Sequence, residues 1–203
     1  MRGTVIALTE LMVWLYAVQL LTVLLCISEW EFVMLRISSL AAAMLCTTLA
    51  ANAMAESVTM YRVDASGASQ ELGKIEIEQS NYGVVFTPTL EGLVPGAHGF
   101  HLHANGSCKA GEDGTPAAAA GGHFDPMGAE KHGAPWGDGH LGDLPALYVS
   151  DRGVAEQPVL APRLTLRDLE GKALMIHQGG DNYSDSPEKL GGGGARVACG
   201  VIE

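Results

Sequence analysis

Basic side chains are scarce in this 203-residue chain: 12 Lys and Arg stand against 23 Asp and Glu, for a formal charge of -11. Binding to nucleic acid needs a basic patch, and adhesion to anionic lipid needs clustered Lys or Arg, so the balance argues against both. The scarcity is uneven. Residues 1–55 contain no His, no Pro, one Gly, two basic and three acidic residues, so nearly all of the charge and all seven His belong to residues 56–203. Charge is absent altogether from Leu11 to Ser28 and again from Ile37 to Ala55. Beyond Glu56 the helical period of 3.6 is missing, which argues against a helical bundle. Cysteine is sparse too, at four residues: Cys26, Cys46, Cys108 and Cys199.

The first 55 residues hold 39 hydrophobic ones, against 57 in the remaining 148. Either uncharged run could cross a membrane, since about 18 apolar residues suffice. The second fits a secretory signal better. Met34-Leu35-Arg36 gives a short basic start, Ile37 to Ala50 an apolar stretch, and the pairs Ala51/Ala53 and Ala53/Ala55 a small-x-small cleavage site. The expected organisation is an upstream extension or membrane segment over 1–33, a signal peptide over 34–55 cleaved after Ala55, and one domain over 56–203. The mature form is then not membrane-bound unless the leader is retained. Cleavage removes Cys26 and Cys46, and the remaining pair, Cys108 and Cys199, reads as a structural disulfide in an oxidising compartment.

From Glu56 onward the pattern alternates with period 2, most cleanly in Lys74-Ile75-Glu76-Ile77-Glu78. Strands are expected at Ser57–Asp64, Lys74–Glu78, Tyr82–Leu90, Gly99–His103, Pro145–Asp151, Val154–Leu160, Ala173–His177 and Ala195–Ile202, with turn residues between them. Eight short strands predict an all-β antiparallel sandwich or barrel. Two segments are too long and Gly-rich for strands, Ala104–Gly142 and Gly179–Gly194. Loops of that length are functional or tied down. The run Gly191–Gly194 is expected to let backbone approach something closely.

Histidine spacing carries the chemistry. His101 and His103, one residue apart on a strand, share a face. His123, His132, His140 and Asp143 follow in the first long loop, and three imidazoles with one carboxylate make a closed tetrahedral zinc set. His177 ends a strand. An immunoglobulin-like binding module would explain the strands and the disulfide but not the His set. A zinc hydrolase built on His101-x-His103 would need an Asp-His sequence after it and alternating helices, and neither is present.

The segments Gly-Ala-His-Gly-Phe-His-Leu-His (96–103), Gly-Gly-His-Phe-Asp-Pro (121–126), Gly-His-Leu-Gly-Asp-Leu-Pro (139–145), His-Gln-Gly-Gly-Asp-Asn (177–182) and Gly-Gly-Gly-Gly-Ala-Arg-Val-Ala-Cys-Gly-Val-Ile (191–202) resemble copper/zinc superoxide dismutase, in its secreted bacterial branch. The resemblance covers 56–203 and none of 1–55. It implies an eight-stranded antiparallel Greek-key β-sandwich or barrel with two long functional loops. Copper would take His101, His103, His123 and His177; zinc would take His123, His132, His140 and Asp143, with one ion of each per subunit. His123 would bridge them and supply a proton. Asp181 would orient ligands of both metals, His98 would bond backbone without ligating, and Arg196 would orient the anion. The implied activity is dismutation of superoxide to dioxygen and hydrogen peroxide as copper cycles between Cu(II) and Cu(I), in the periplasm. A homodimer is compatible with the sequence, as is a monomer. The other reading left open is a non-catalytic periplasmic copper/zinc-binding protein.

Overall fold

The computed structural model describes residues 56–203; the expected leader and its cleavage site lie outside the described residues. Ten strands form: β1 (Glu56–Asp64), β2 (Gly67–Ser80), β3 (Gly83–Glu91), β4 (Gly96–His98), β5 (Phe100–His103), β6 (Leu147–Val149), β7 (Val154–Ala155), β8 (Val159–Ala161), β9 (Ala173–His177) and β10 (Arg196–Val201). Eight make one antiparallel sheet in the order β5-β9-β10-β1-β2-β3-β7, with β8 also on β3, and β4 pairs with β6 in a separate ribbon. The meander β1-β2-β3 has a late strand, β10, returned to its first edge, which is the Greek-key order. Among the described residues no helix is long and apolar enough to cross a membrane.

The alternation seen in the sequence decides which face goes inward. Along β2, Ile75 and Ile77 are fully buried while Lys74, Glu76 and Glu78 are exposed. Opposite, β3 turns Val84, Phe86 and Leu90 to the same interior. Phe86 meets Phe100 of β5 edge to face at 5.6 Å, so the sheet curls until its first and last strands share one core. Each such large side chain contributes about 1.5–3 kcal/mol on burial.

The structure departs from the expected strands in three places. β2 extends back to Gly67, because Ala68–Glu71 are solvent-facing and show no alternation to read. The single strand expected over Val154–Leu160 is two, β7 and β8, which pair with β3 at Leu90–Glu91 and at Val84–Phe86. The interruption holds Pro158 and lies across from Pro88, two residues with no N–H for a ladder. Gly96–His98 forms a strand of its own, separated from β5 by Gly99.

β5 and β9 position the site. All nine of their residues are buried, with Phe100 facing Ile176 and His101 facing Met175 in register. Phe100, Leu102, Leu174 and Ile176 fill the main core, which leaves His101, His103 and His177 on the opposite face, under the long loops. A disulfide joins Cys108 to Cys199 of β10 across 91 residues, with Cα atoms 5.7 Å apart, and fixes the start of the first loop to the sheet.

Candidate metal centre

The first loop is stitched to β5 by backbone. Leu102 N–H donates to Gly142 O, Phe124 N–H to Leu102 O and Gly142 N–H to Phe124 O, at 2.8–2.9 Å. Gly142 admits this approach: a Cβ there would lie against Leu102 O and 2.8 Å from Phe124 N. The neighbours of these anchors are His123 and Asp143, which are thereby bridged to His103 and His101. The second loop is held by Gly99 N–H to Gly179 O at 2.8 Å and Gly179 N–H to Gly193 O at 2.7 Å.

Four ring nitrogens meet in the space so formed. His101 Nδ1, His103 Nε2, His123 Nε2 and His177 Nε2 are buried and have no hydrogen-bond partner, and they lie within 4.8 Å of one another. The other nitrogen of each ring is engaged: His101 Nε2 with Asp181 Oδ2 at 2.8 Å, His103 Nδ1 with Gly121 O at 2.9 Å, His177 Nδ1 with Gly194 O at 3.1 Å and His123 Nδ1 with Asp143 Oδ1 at 2.8 Å. Each partner is an acceptor and takes the ring N–H, so the free nitrogen presents a lone pair. An unsatisfied buried polar atom costs about 1–3 kcal/mol. One shared cation relieves all four, so these residues fit a metal ion.

Burial keeps the lone pairs available. It depresses His101 from the ordinary 6.5 to about 3, His103 to about 2 and His177 to about 4, and lowers His123 as well. The neighbouring imidazoles, and Arg196 in the case of His103 and His177, push in the same direction.

A second set adjoins the first. Nδ1 of His123, His132 and His140 converge on Asp143 Oδ1 at 2.8, 2.9 and 3.2 Å, and these four side chains form a second group able to hold a metal. In a tetrahedral zinc site, with bonds of about 2.0–2.1 Å, ligand atoms stand about 3.3 Å apart, close to this spacing. Asp143 also accepts Gly133 N–H at 2.8 Å. Its burial would raise its pKa, but the imidazole hydrogen bonds outweigh that and hold it below the usual carboxylate range. His132 has Asp143 on one nitrogen and Asp181 Oδ1, at 2.8 Å, on the other. Burial opposes its protonation, yet the two carboxylates prevail and lift it to about 9. Asp181 thus touches one member of each set, and the same two imidazoles hold it ionised.

The Gly-rich run does approach something closely. Gly191, at φ 71°, lies so near that a Cβ would overlap Asp181 and sit 2.8 Å from His132 Nε2; one at Gly193 would be 3.2 Å from His177 Cβ. Arg196 is half-buried beside the all-imidazole set, paired in the sheet with His177, and donates to Ala117 O and Gly121 O, each at 2.6 Å. Gly121 O accepts from both Arg196 and His103, so one carbonyl orients both. His98 has its two nitrogens 2.7 Å from the carbonyls of His177 and Val94 and offers nothing to a metal.

The expected ligands, with Asp181 and Arg196 beside them, therefore lie in one cluster, and Cys108 and Cys199 are joined in the disulfide. Two contributors were not foreseen. Asp185 accepts His132 N–H at 2.8 Å and Leu190 N–H at 3.0 Å, and Arg163 donates to the carbonyls of Pro135, Gly139 and His140. Asp185 had a faint signal in the Asn/Asp/Ser-rich stretch 181–186. Arg163, alone between Pro162 and Leu164, had none.

Two adjoining donor sets beneath the loops of a curled antiparallel sheet define a class, the β-barrel proteins that hold two metal ions side by side. The family model for copper/zinc superoxide dismutase (SODC) matches residues 71–202. The chain is 57% identical over 159 residues to superoxide dismutase [Cu-Zn] of Photobacterium leiognathi, covering 76% of this chain and 91% of that protein. It is 53% identical over 169 residues to superoxide dismutase [Cu-Zn] 2 of Salmonella typhimurium, covering 81% and 98%. Among solved structures, the Cu/Zn superoxide dismutase from Brucella abortus superposes with a TM-score of 0.72 at 50% identity, over 73% of this chain and 99% of that one. The chain belongs to the copper/zinc superoxide dismutase family, with bacterial relatives. It is an oxidoreductase that dismutates superoxide with copper and zinc as cofactors, and the non-catalytic metal-binding alternative is not favoured.

Proposed function

We propose that copper is held by His101, His103, His123 and His177, and zinc by His123, His132, His140 and Asp143, with His123 shared between them. The four partnerless nitrogens carry this reading, because no hydrogen bond competes for them. Imidazole donors suit copper's tetragonal preference, and an imidazole–carboxylate tetrahedron suits zinc. Bound copper would supply a one-electron couple, sufficient to oxidise one superoxide to dioxygen and, with two protons, to reduce a second to hydrogen peroxide.

The chain's own residues do the rest. Arg196, anchored by two carbonyls, keeps N–H donors free for a small oxygen anion, and its planar, permanently charged fork suits that task better than Lys would. His123 Nε2, facing the other free nitrogens, is the position that would carry a proton to the reduced oxygen species whenever it does not ligate copper. Asp181 fixes the rings of His101 and His132 together and so couples the two sites. His132, His140 and Asp143 would hold zinc together with the shared His123, and a bound ion would fix the long loop that carries them.

We also propose that residues 34–55 are a cleaved signal peptide delivering residues 56–203 to the periplasm, and that residues 1–33 are an upstream extension or membrane segment. The disulfide supports an oxidising destination. The alignment, in which 81% of this chain accounts for 98% of the Salmonella protein, supports reading the first residues as an upstream extension. Assembly as a homodimer would cover exposed aromatics such as Trp136 and Tyr148. A solved Salmonella enterica relative at 55% identity is described as monomeric, and sedimentation equilibrium decides between the two states.

The decisive experiment loads the protein with copper and zinc and measures superoxide removal beside the His101→Ala/His103→Ala variant. Activity should vanish with bound copper in that variant. Unchanged activity would end the copper assignment.

A further inference from the structure

The segment between Asp125 and His140 contributes no residue to either hydrophobic core; the nearest core-packing side chains are Phe124 and Leu141. Pro135 is the one buried apolar side chain of this stretch, so apolar burial contributes little to placing the turn that carries His140. Of the four zinc-type residues, His140 has the most exposed side chain, at 13%, and the longest approach to Asp143, at 3.2 Å. Its backbone N–H donates to Lys131 O at 3.1 Å, within the same loop, which leaves it unanchored to the sheet from that side.

Besides Asp143 N–H, which donates to His140 O at 3.2 Å, what ties this turn to the rest of the molecule is Arg163. Its Nε donates to Pro135 O at 2.8 Å, Nη1 to Gly139 O at 3.0 Å and Nη2 to His140 O. These three acceptors lie 28, 24 and 23 residues away, on one turn, and a guanidinium is the side chain whose donors diverge in a plane to meet three carbonyls at once. The base of the side chain is fixed. Arg163 follows β8 and Pro162, and Leu164 beside it is buried in the core. No carboxylate is paired with Arg163 among the described residues, so its charge acts on carbonyl dipoles.

We propose that Arg163 is a positioning residue that clamps the His140 turn to the sheet and so governs retention of the metal held by His123, His132, His140 and Asp143. The proposal rests on the zinc assignment above. Arg163 touches neither donor set through its own nitrogens; it acts through the carbonyl of His140. Three members of the all-imidazole set stand on β5 and β9, and the fourth, His123, is held to β5 by its bridge to His103, so that set does not depend on Arg163.

The test measures transfer of Zn(II) from the full-length protein to a chromophoric chelator, for wild type, Arg163→Ala, Arg163→Lys and His140→Ala. The visible spectrum of Co(II) bound in place of zinc and the affinity for copper are read alongside. Loss of an orienting partner of a metal ligand typically costs about 10–100-fold in affinity. Arg163→Ala should lose zinc faster by that order and alter the Co(II) bands, while copper affinity moves less than threefold. Arg163→Lys, which keeps the charge and loses the fork, should recover only part of the retention, and it carries the same comparison if the alanine protein does not fold. Zinc transfer within twofold of wild type in both Arg163 variants, with His140→Ala clearly impaired, overturns the clamp alone. Equal losses of zinc and copper also overturn it, because they mark general destabilisation. Unimpaired zinc retention in His140→Ala overturns the ligand assignment and the clamp with it.

Discussion

Breaking the Cys108–Cys199 crosslink separates stability from catalysis. The bond closes a loop of 91 residues. Chain entropy for that length is about -2.1 - 1.5R ln 91, near -15.5 cal/mol/K, or about 4.6 kcal/mol at 25 °C. The informative variant is Cys108→Ser/Cys199→Ala. Cys199 is fully buried among Val63, Ala117, Ala120, Ala173 and Met175, where a serine hydroxyl would go unpaired, whereas Cys108 is only partly buried. Urea unfolding of metal-free protein should show a loss of about 4 kcal/mol, and thermal unfolding a fall of roughly 10–18 °C for a domain of this size. The same bond holds the loop whose Ala117 and Gly121 carbonyls grip Arg196. The variant loaded with both metals should therefore bind copper normally yet turn over more slowly. A stability loss below about 1 kcal/mol, together with full specific activity, would refute both parts of the argument.

Replacing Asp181 with Ala leaves Nε2 of both His101 and His132 without their acceptor. Metal affinity, read by equilibrium dialysis, should fall about 10–100-fold at both sites, and a loss at one site only would show that the carboxylate does not couple them. Gly191→Ala forces a side chain into a left-handed backbone and into Asp181; about 1–2 kcal/mol of stability should go on backbone grounds alone, with zinc retention weakened as well. In metal-free protein His101, His103 and His177 stay neutral down to about 3, 2 and 4, whereas the unfolded chain takes up protons near 6.5. The unfolded state then binds more protons, so stability should decline as pH falls from about 6.5 towards 4, at about 1.4 kcal/mol per pH unit for each such His; a flat profile in urea melts over that range would contradict it. Arg196→Ala should reduce turnover far more than Lys74→Ala, since Lys74 is exposed on β2 and far from the cluster in the fold; equal losses measured by superoxide removal would remove Arg196 from its role.

The parts of this molecule that could be read from sequence are those where one residue type has one use. Alternation exposed β1, β3 and the central part of β2, because a half-buried strand cannot avoid it. His and Asp in the loops stood out since few other roles need imidazoles at those intervals. The split of β7 from β8 was legible in hindsight from Pro158, but only pairing with β3 shows that the break matters. Arg163 was beyond reach. A guanidinium that binds backbone carbonyls leaves no matching side chain elsewhere in the sequence, and its acceptors, on Pro135, Gly139 and His140, are groups every residue has. Asp185 shows only faintly, in its Asn/Asp/Ser-rich stretch, since it accepts from main-chain N–H groups.

The placement of β10 between β1 and β9 has a consequence for the protein's life history. The first strand made has no neighbour on that edge until the last strand is complete, and His177, Arg196 and Cys199 all belong to the final 27 residues of the chain. A chain that stops short of β9 can present His101 and His103 but has no closed all-imidazole set, no bridge to Asp181 and no second sulfur for Cys108. The all-imidazole set is therefore complete only once β9 and β10 have joined the sheet, whereas His123, His132, His140 and Asp143 all precede them in the chain.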